Sequence, residues 1–120
     1  MAAYRKANKI FADTIACHLR EGDHIWVHDY HLMLLPQMLR QKATKLNVDI
    51  TLGWFLHTSF PEYEFFDVLP SKREILDGVL GADVVGFQTD QARQNFLTTC
   101  SQILYVVFRA VSTTEPTDLV

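Results

Sequence analysis

The sequence has little of several features that mark particular classes of protein. It contains only 2 cysteines, 4 prolines and 5 glycines in 120 residues, and its 11 Lys and Arg are balanced by 14 Asp and Glu. With a net charge of −3, the chain lacks the excess of basic residues that binding to nucleic acid or to an anionic membrane surface requires. We therefore expect no nucleic-acid or membrane partner, and a small molecule or another protein instead.

Cysteine spacing and hydropathy exclude further classes. Cys17 and Cys100 lie in stretches typical of helices and have no CxxC spacing, which favours reduced thiols over disulfides. The first twenty residues lack the continuous apolar core of a signal peptide, and no apolar run approaches the ~20 residues of a membrane span. We expect a cytoplasmic protein.

What the sequence does have is enough apolar residues for one small domain, since 48% of the chain is hydrophobic. Helical and strand patterns alternate along it. The predicted elements are a helix over 4–19, a strand over 25–27, a helix over 32–45, a strand over 49–56, a helix over 71–80, a strand over 83–87 and a helix over 89–104. This alternation predicts an α/β fold with a doubly wound parallel sheet.

The end of the chain differs in character. Residues 112–117 are polar, rich in residues that break helices and strands, and without periodicity. We therefore divide the chain into a partial doubly wound domain over 1–104 and an irregular or disordered tail over 105–120. Because a doubly wound domain usually continues with more strands, we expect a truncated product or a fragment.

Two of the predicted strands end in unusual polar segments. WVHDYH follows the first strand and FLHTSFPEYE the second, so that His28, Asp29 and His57 leave neighbouring strand ends. Ligands of an open parallel sheet bind outside the carboxyl ends of its strands, where loops and helix N-termini meet. This coincidence predicts a binding site at that edge of the sheet.

The HDYH segment has three competing interpretations. His28 and His31 lie three residues apart and could bind zinc from one helical turn. A third ligand would have to come from His24, His57 or Asp29, and no HExxH or cysteine pattern supports a metal site. Alternatively, Asp29 caps the following helix and the histidines pack. In the third interpretation, the carboxylate and the imidazoles bind the hydroxyl groups of a sugar-like ligand.

Three segments carry a specific resemblance: WVHDYHLMLLPQMLR, GWFLHTSFPEYEFFDVLP and REILDGVLGADVVGFQTDQARQNFL. In order and spacing they resemble the trehalose-6-phosphate synthases, the retaining glycosyltransferases of family 20 that join UDP-glucose to glucose 6-phosphate. The resemblance covers about residues 4–104. It implies a GT-B architecture, in which two Rossmann-like domains enclose the active site, and residues 1–104 would form part of the N-terminal Rossmann-like domain.

The resemblance also implies roles for individual residues. Asp29 would bind the acceptor, glucose 6-phosphate, and His57 would contact the glucose of the donor, UDP-glucose. His28 and His31 would shape the loop between them. The resemblance implies no metal, no cofactor besides the donor substrate and no protein nucleophile, because the leaving phosphate is thought to help remove the acceptor's proton.

The segment after His57 departs from the family pattern. Where the family usually has Pro-Phe-Pro, this chain has Ser59-Phe60-Pro61, followed by the bulkier pair Glu62-Tyr63. Without this proline the backbone of the loop is less constrained, which would retune or weaken the donor site. A regulatory subunit without catalysis, within a trehalose synthesis complex, is therefore the alternative to an enzyme, and a sugar-phosphate transferase with another acceptor is a third. Because a GT-B cleft needs two domains, we expect the 120-residue chain alone to be inactive.

Overall fold

The computed structural model describes residues 1–105 and the backbone of residues 118–119. The elements in chain order are α1 (Ala2–Ala16), β1 (Asp23–His28), a 3₁₀ turn (Tyr30–Leu32), α2 (Leu35–Leu46), β2 (Ile50–Leu56), α3 (Tyr63–Phe66), α4 (Lys72–Val79), β3 (Val84–Phe87), α5 (Asp90–Leu104) and β4 (Asp118–Leu119). The alternation of helices and strands confirms the predicted α/β class.

The four strands form one sheet in the order β1-β2-β3-β4. β1, β2 and β3 are parallel, with His28 opposite Phe55 and Leu56 opposite Phe87, whereas β4 pairs antiparallel with β3. α2 and α4 pack against each other, as expected if both crossovers between the neighbouring parallel strands are right-handed and place their helices on the same face of the sheet. The predicted parallel sheet is confirmed, and its three parallel strands end at one common edge.

The hydrophobic core lies between this sheet and its helices. Leu52, Trp54 and Leu56 alternate along β2 and are at most 3% exposed, because side chains two residues apart point to the same face of a strand. They belong to one buried cluster with Leu39 of α2 and Phe96 of α5. The central strand is thus anchored along its full length, which fixes where its carboxyl end lies.

The opposite face of the sheet is more open in the described part of the chain. Trp26 of β1 is 55% exposed and lies over Gly53 of β2, where an added Cβ would be 2.7 Å from its ring. Thr51, also on β2, is exposed. A large aromatic side chain therefore covers the sheet here, where a doubly wound sheet would have a helix.

Several boundaries differ from the predicted ones. β1 extends over Asp23–His28, so His28 is still part of the strand. The second helix, predicted to start at residue 32, is divided into the 3₁₀ turn and α2, which starts at Leu35 and carries Pro36 in its first turn. The short helix α3 occupies a stretch that had no predicted element. The first two differences define the loop after β1, which runs from the end of the strand at His28 to the start of α2 at Leu35.

The tail predicted for 105–120 falls largely on residues 106–117 and 120, which lie outside the described residues. Its assignment as irregular or disordered stays a prediction there. At the positions that are described, Tyr105 ends α5 in a left-handed conformation, and residues 118–119 form β4. Among the described residues, no helix is long and apolar enough to cross a membrane.

Candidate binding site at the strand ends

The carboxyl ends of β1 and β2 bring together three of the predicted site residues. His28 is the last residue of β1, Asp29 follows it, and His57 follows β2. The Asp29 N–H donates to the Phe55 carbonyl at 2.8 Å, which continues the hydrogen bonding between the two strands past the end of β1. The start of the HDYH loop is therefore attached directly to the neighbouring strand.

The rings of His28 and His57 contact each other. His28 Nδ1 lies 3.0 Å from His57 Nε2, and the ring centroids are 5.2 Å apart. The His57 ring also packs beside the Phe55 ring, at a centroid distance of 4.9 Å. Both histidines are exposed, so the pair is accessible to a ligand at the strand ends.

Asp29 has an unusual backbone and an unusual side chain. Its φ of 70° and ψ of −178° lie in a region that is populated almost only by glycine. Its Oδ1 is buried and has no hydrogen-bond partner among the described residues. Within the described part of the chain its side chain makes no capping hydrogen bond, so the helix-cap interpretation of this carboxylate is wrong. A buried carboxylate oxygen without a partner is unfavourable unless another group, such as a ligand hydroxyl, binds it.

Hydrogen bonds from distant residues hold the main chain of the loop. The Trp54 indole N–H donates to the Asp29 carbonyl at 3.1 Å, and the Tyr4 hydroxyl donates to the Tyr30 carbonyl at 2.6 Å. The Met33 N–H in turn donates to the Tyr4 hydroxyl at 2.8 Å. Burial raises the pKa of Tyr4, although the Met33 N–H counteracts part of this effect, so the hydroxyl keeps the proton that it donates.

The role of these two aromatic residues was missed in the sequence. Tyr4 belongs to the periodic stripe of a helix and Trp54 to an apolar strand, and both patterns normally indicate core packing. Nothing local signals a hydrogen bond to a loop that lies 25 or 26 residues away. A polar atom at the tip of each side chain is the only available indication.

His31 lies apart from the histidine pair. Its ring packs beside Tyr30, at a centroid distance of 4.3 Å, and its carbonyl accepts a hydrogen bond from Asn8. No contact within the described residues joins its ring to His28 or His57. His31 therefore takes part in the loop through its main chain. The His28 ring, in contrast, directly contacts His57, the residue predicted to bind the glucose of the donor.

The geometry argues against zinc bound by the HDYH segment. His24 is near the start of β1, four residues before His28, which at ~3.3 Å per residue separates them by more than 10 Å. Within residues 1–105, no three or more His, Cys, Asp and Glu side chains are grouped so that they could hold a metal ion. Among the described residues, the zinc interpretation therefore has no group of three ligands to support it.

The loop after β2 is anchored by Phe60. This side chain is 3% exposed and packs edge to face against Phe96 of α5, at a centroid distance of 5.3 Å. The Asn95 side chain donates to the Phe60 carbonyl at 2.9 Å. Ser59 and Glu62, two of the positions that depart from the family pattern, are exposed beside this anchor. Ser59 and Glu62 thus change the surface of this loop, whereas Tyr63, the third departure, is half-buried and packs against the hydrophobic core.

Comparison with known proteins identifies the family. The sequence profile of glycosyltransferase family 20 matches residues 1–118. The chain belongs to this family. It is 54% identical over 102 residues to the UDP-forming alpha,alpha-trehalose-phosphate synthase of Schizosaccharomyces pombe, and 51% identical over 106 residues to synthase 2 of Aspergillus niger. These matches cover 85% and 88% of this chain but 20% and 22% of the relatives, so the chain spans about a fifth of their length.

Solved structures of the family share the fold of this chain. A trehalose-6-phosphate protein of E. coli bound with UDP-2-fluoro glucose has a TM-score of 0.80 and 36% identity, over 89% of this chain and 23% of that one. The N-terminal domain of Candida albicans trehalose-6-phosphate phosphatase has a TM-score of 0.83 and 39% identity, over 88% of this chain and 22% of that one. The predicted family and fold are confirmed.

Proposed function

We propose that this family 20 chain forms part of the sugar-binding cleft of a UDP-forming alpha,alpha-trehalose-phosphate synthase. Such an enzyme transfers glucose from UDP-glucose to glucose 6-phosphate. The observation that carries the proposal is the buried Asp29 Oδ1 without a partner, beside the His28–His57 pair at the strand ends. A sugar hydroxyl supplies the donor that such a carboxylate oxygen lacks, and hydrogen bonds to a charged acceptor are the stronger ones.

The proposed roles follow from which atoms are available. Asp29 binds a hydroxyl of the acceptor, glucose 6-phosphate, and orients it. His57 has its Nε2 in contact with His28, which leaves its Nδ1 for a hydroxyl of the donor glucose. His28 and His31 shape the loop. The chain's contribution to rate is the orientation of two sugars, with no protein nucleophile, no metal and no cofactor besides the donor.

Two observations favour a second function, a regulatory subunit or synthase-like domain without catalysis in a trehalose synthesis complex. A phosphatase N-terminal domain has the same fold as this chain, with a TM-score of 0.83. The departures Ser59 and Glu62 are exposed in the segment that follows His57, so they change the surface of the loop that carries the proposed donor residue. In this alternative, the partners are other subunits of the complex. For both functions we propose a cytoplasmic location.

A coupled UDP-release assay with UDP-glucose and glucose 6-phosphate distinguishes the two functions. It is run on the 120-residue chain and on a chimera in which residues 1–104 replace the matching segment of the Schizosaccharomyces pombe synthase. We expect the 120-residue chain alone to release no UDP, because a GT-B cleft needs two domains, and we expect the chimera to release UDP. Asp29→Ala in the chimera is expected to abolish activity.

Asp49→Ala is the matched control, since this exposed carboxylate lies just before β2, at the opposite edge of the sheet from the site. A folded chimera that releases no UDP, beside an active parent synthase, would contradict the transferase function and favour the regulatory one. Turnover with a different sugar phosphate in place of glucose 6-phosphate would instead indicate a related transferase.

A further inference from the structure

Two side chains of α1 reach the loop that follows Asp29. Tyr4 and Asn8 are four residues apart and so lie on one face of the helix. The Tyr4 hydroxyl donates to the Tyr30 carbonyl at 2.6 Å and accepts from the Met33 N–H at 2.8 Å. The Asn8 amide donates to the His31 carbonyl at 3.2 Å. All three bonds end on the main chain of residues 30–33.

These bonds complete the fixation of Asp29. On the strand side, Phe55 accepts from its N–H and Trp54 donates to its carbonyl. On the other side, no side chain among residues 1–105 caps the 3₁₀ turn that follows, and its main chain is held by the Tyr4 and Asn8 bonds. A non-glycine residue keeps a φ of 70° only where its surroundings hold it there. The conformation of Asp29 is therefore maintained by β2 on one side and by α1 on the other.

Stability alone does not account for Asn8. The residue is 0% exposed, and its Oδ1 has no hydrogen-bond partner within the described part of the chain. Its Nδ2 donates both to the Tyr4 carbonyl and to the His31 carbonyl. A leucine of similar size would avoid burying the unpaired oxygen. What a leucine cannot replace is the bond from α1 to the loop.

We propose that Tyr4 and Asn8 are positioning residues of the acceptor site, which hold the main chain of residues 30–33 so that Asp29 presents its carboxylate to glucose 6-phosphate. The ligand in this inference rests on the proposed function. The fixation of the loop does not, and it is measurable without any ligand.

The first test measures amide hydrogen exchange by NMR in the 120-residue chain and in its Tyr4→Phe and Asn8→Leu variants. We expect exchange at Asp29 and Met33 to accelerate at least about fivefold more than exchange at Leu52, whose N–H bonds to Asp83 in the sheet. Tyr105→Phe is the control, because Tyr105 is 86% exposed. Uniform acceleration, as from general destabilisation, or no acceleration at residues 29–33 would overturn the inference.

The second test is titration of the same proteins with glucose 6-phosphate, observed at the Asp29 amide. We expect Tyr4→Phe and Asn8→Leu each to weaken binding about tenfold, within the range for the loss of one or two hydrogen bonds that hold the loop, and Tyr105→Phe to leave it unchanged. Equal affinity in all four proteins would overturn the positioning role and leave the proposed function standing. Absence of binding even by the unsubstituted chain would overturn the acceptor site in this chain, and the exchange data would then decide the fixation of the loop alone.

Discussion

His28 Nδ1 lies 3.0 Å from His57 Nε2, across the carboxyl ends of two adjacent parallel strands. A hydrogen bond between two imidazoles needs one N–H and one lone pair, so at least one of the rings is neutral while the bond lasts. The contact fixes the orientation of the His57 ring and thereby links the two loops that form the candidate site.

This contact predicts that His28 acts on the donor sugar through His57. His28→Ala frees the His57 ring, and we expect affinity for UDP-glucose to fall about fivefold, in line with ~1 kcal/mol for one hydrogen bond. His57→Ala is expected to cost more, and adding His28→Ala to it should cost nothing further. Calorimetric titration of the chimera with UDP-glucose measures all three. His24→Ala, at the other end of β1, is the control, and additive losses would contradict the prediction.

The backbone of Asp29 predicts a conflict between stability and binding. A φ of 70° at a residue with a Cβ costs ~1–3 kcal/mol, whereas glycine adopts it freely and loses ~0.5–1 kcal/mol through its larger unfolded-state entropy. We expect Asp29→Gly to raise the free energy of unfolding by about 1 kcal/mol and to weaken glucose 6-phosphate binding. Urea unfolding and ligand titration of the same samples provide the two measurements.

Asp29→Ala is the control for this prediction, because alanine also removes the carboxylate but keeps the Cβ and its strain. It should bind as poorly as the glycine variant and be less stable than the glycine variant, since both changes remove the buried carboxylate oxygen and only glycine removes the strain. If the alanine variant proves as stable as the glycine variant, no strain is stored at this position.

The fold and the proximity of His28 to His57 could be predicted because both depend on local patterns. The alternation of helical and strand periodicity indicated a parallel sheet, and parallel strands with short crossovers end at the same edge. That rule alone was enough to expect His28 and His57 to lie close together. The contact between their rings bears out this part of the reasoning.

The fixation of the site could not be predicted, because it depends on contacts between residues far apart in the chain. Tyr4 bonds to Tyr30 and Met33, and Asn8 bonds to His31, at separations of 23 to 29 residues. The conformation of Asp29 is equally hidden, since an aspartate in a loop gives no local sign of a positive φ. Both features arise only after the helix and the strands have packed.

The close approach of α4 to residues 33 and 34, just before α2, predicts that Gly78 contributes to stability. A Cβ at this position would lie 2.5 Å from the Met33 carbonyl oxygen and 2.8 Å from the Leu34 Cα, and these backbone atoms cannot move aside cheaply. We expect Gly78→Ala to lower the free energy of unfolding by ~1–3 kcal/mol, even though alanine is the better helix former. Urea unfolding at neutral pH measures the change.

Gly53→Ala is the matched comparison. Its Cβ would meet ring atoms of Trp26 at 2.7 Å, but that ring is 55% exposed and can swing outward. We expect a smaller loss of stability, together with a change in tryptophan fluorescence. An equal loss in the two variants would show that the backbone contact at Gly78 is not special.

Asp83 predicts a specific dependence of stability on pH. Its carboxylate accepts from the Leu52 N–H at 2.8 Å and from Arg40 Nη2 at 2.7 Å. Burial by itself would raise the pKa of Asp83, but these two donors outweigh burial and hold the pKa below its usual range. The folded protein therefore binds fewer protons at this site than the unfolded chain. The stabilisation is fully present above the unfolded pKa of about 4 and is lost as the pH falls through the folded pKa.

Asp83→Asn tests this dependence, because it keeps the shape of the side chain and removes its charge. The Asp83 side chain is 47% exposed, so solvent screening limits the expected loss of stability at pH 7 to about 1 kcal/mol or less. The difference between the two proteins should shrink when unfolding in urea is repeated near pH 3. Asp49→Asn serves as the control, since the Asp49 carboxylate is exposed and makes no hydrogen bond among the described residues, so its replacement should change the free energy of unfolding at pH 7 little. If the difference in the free energy of unfolding between the two proteins stays constant from pH 7 to pH 3, the Asp83 side chain contributes through its shape alone. Its charge would then add nothing to the stability of the junction between β2, β3 and α2.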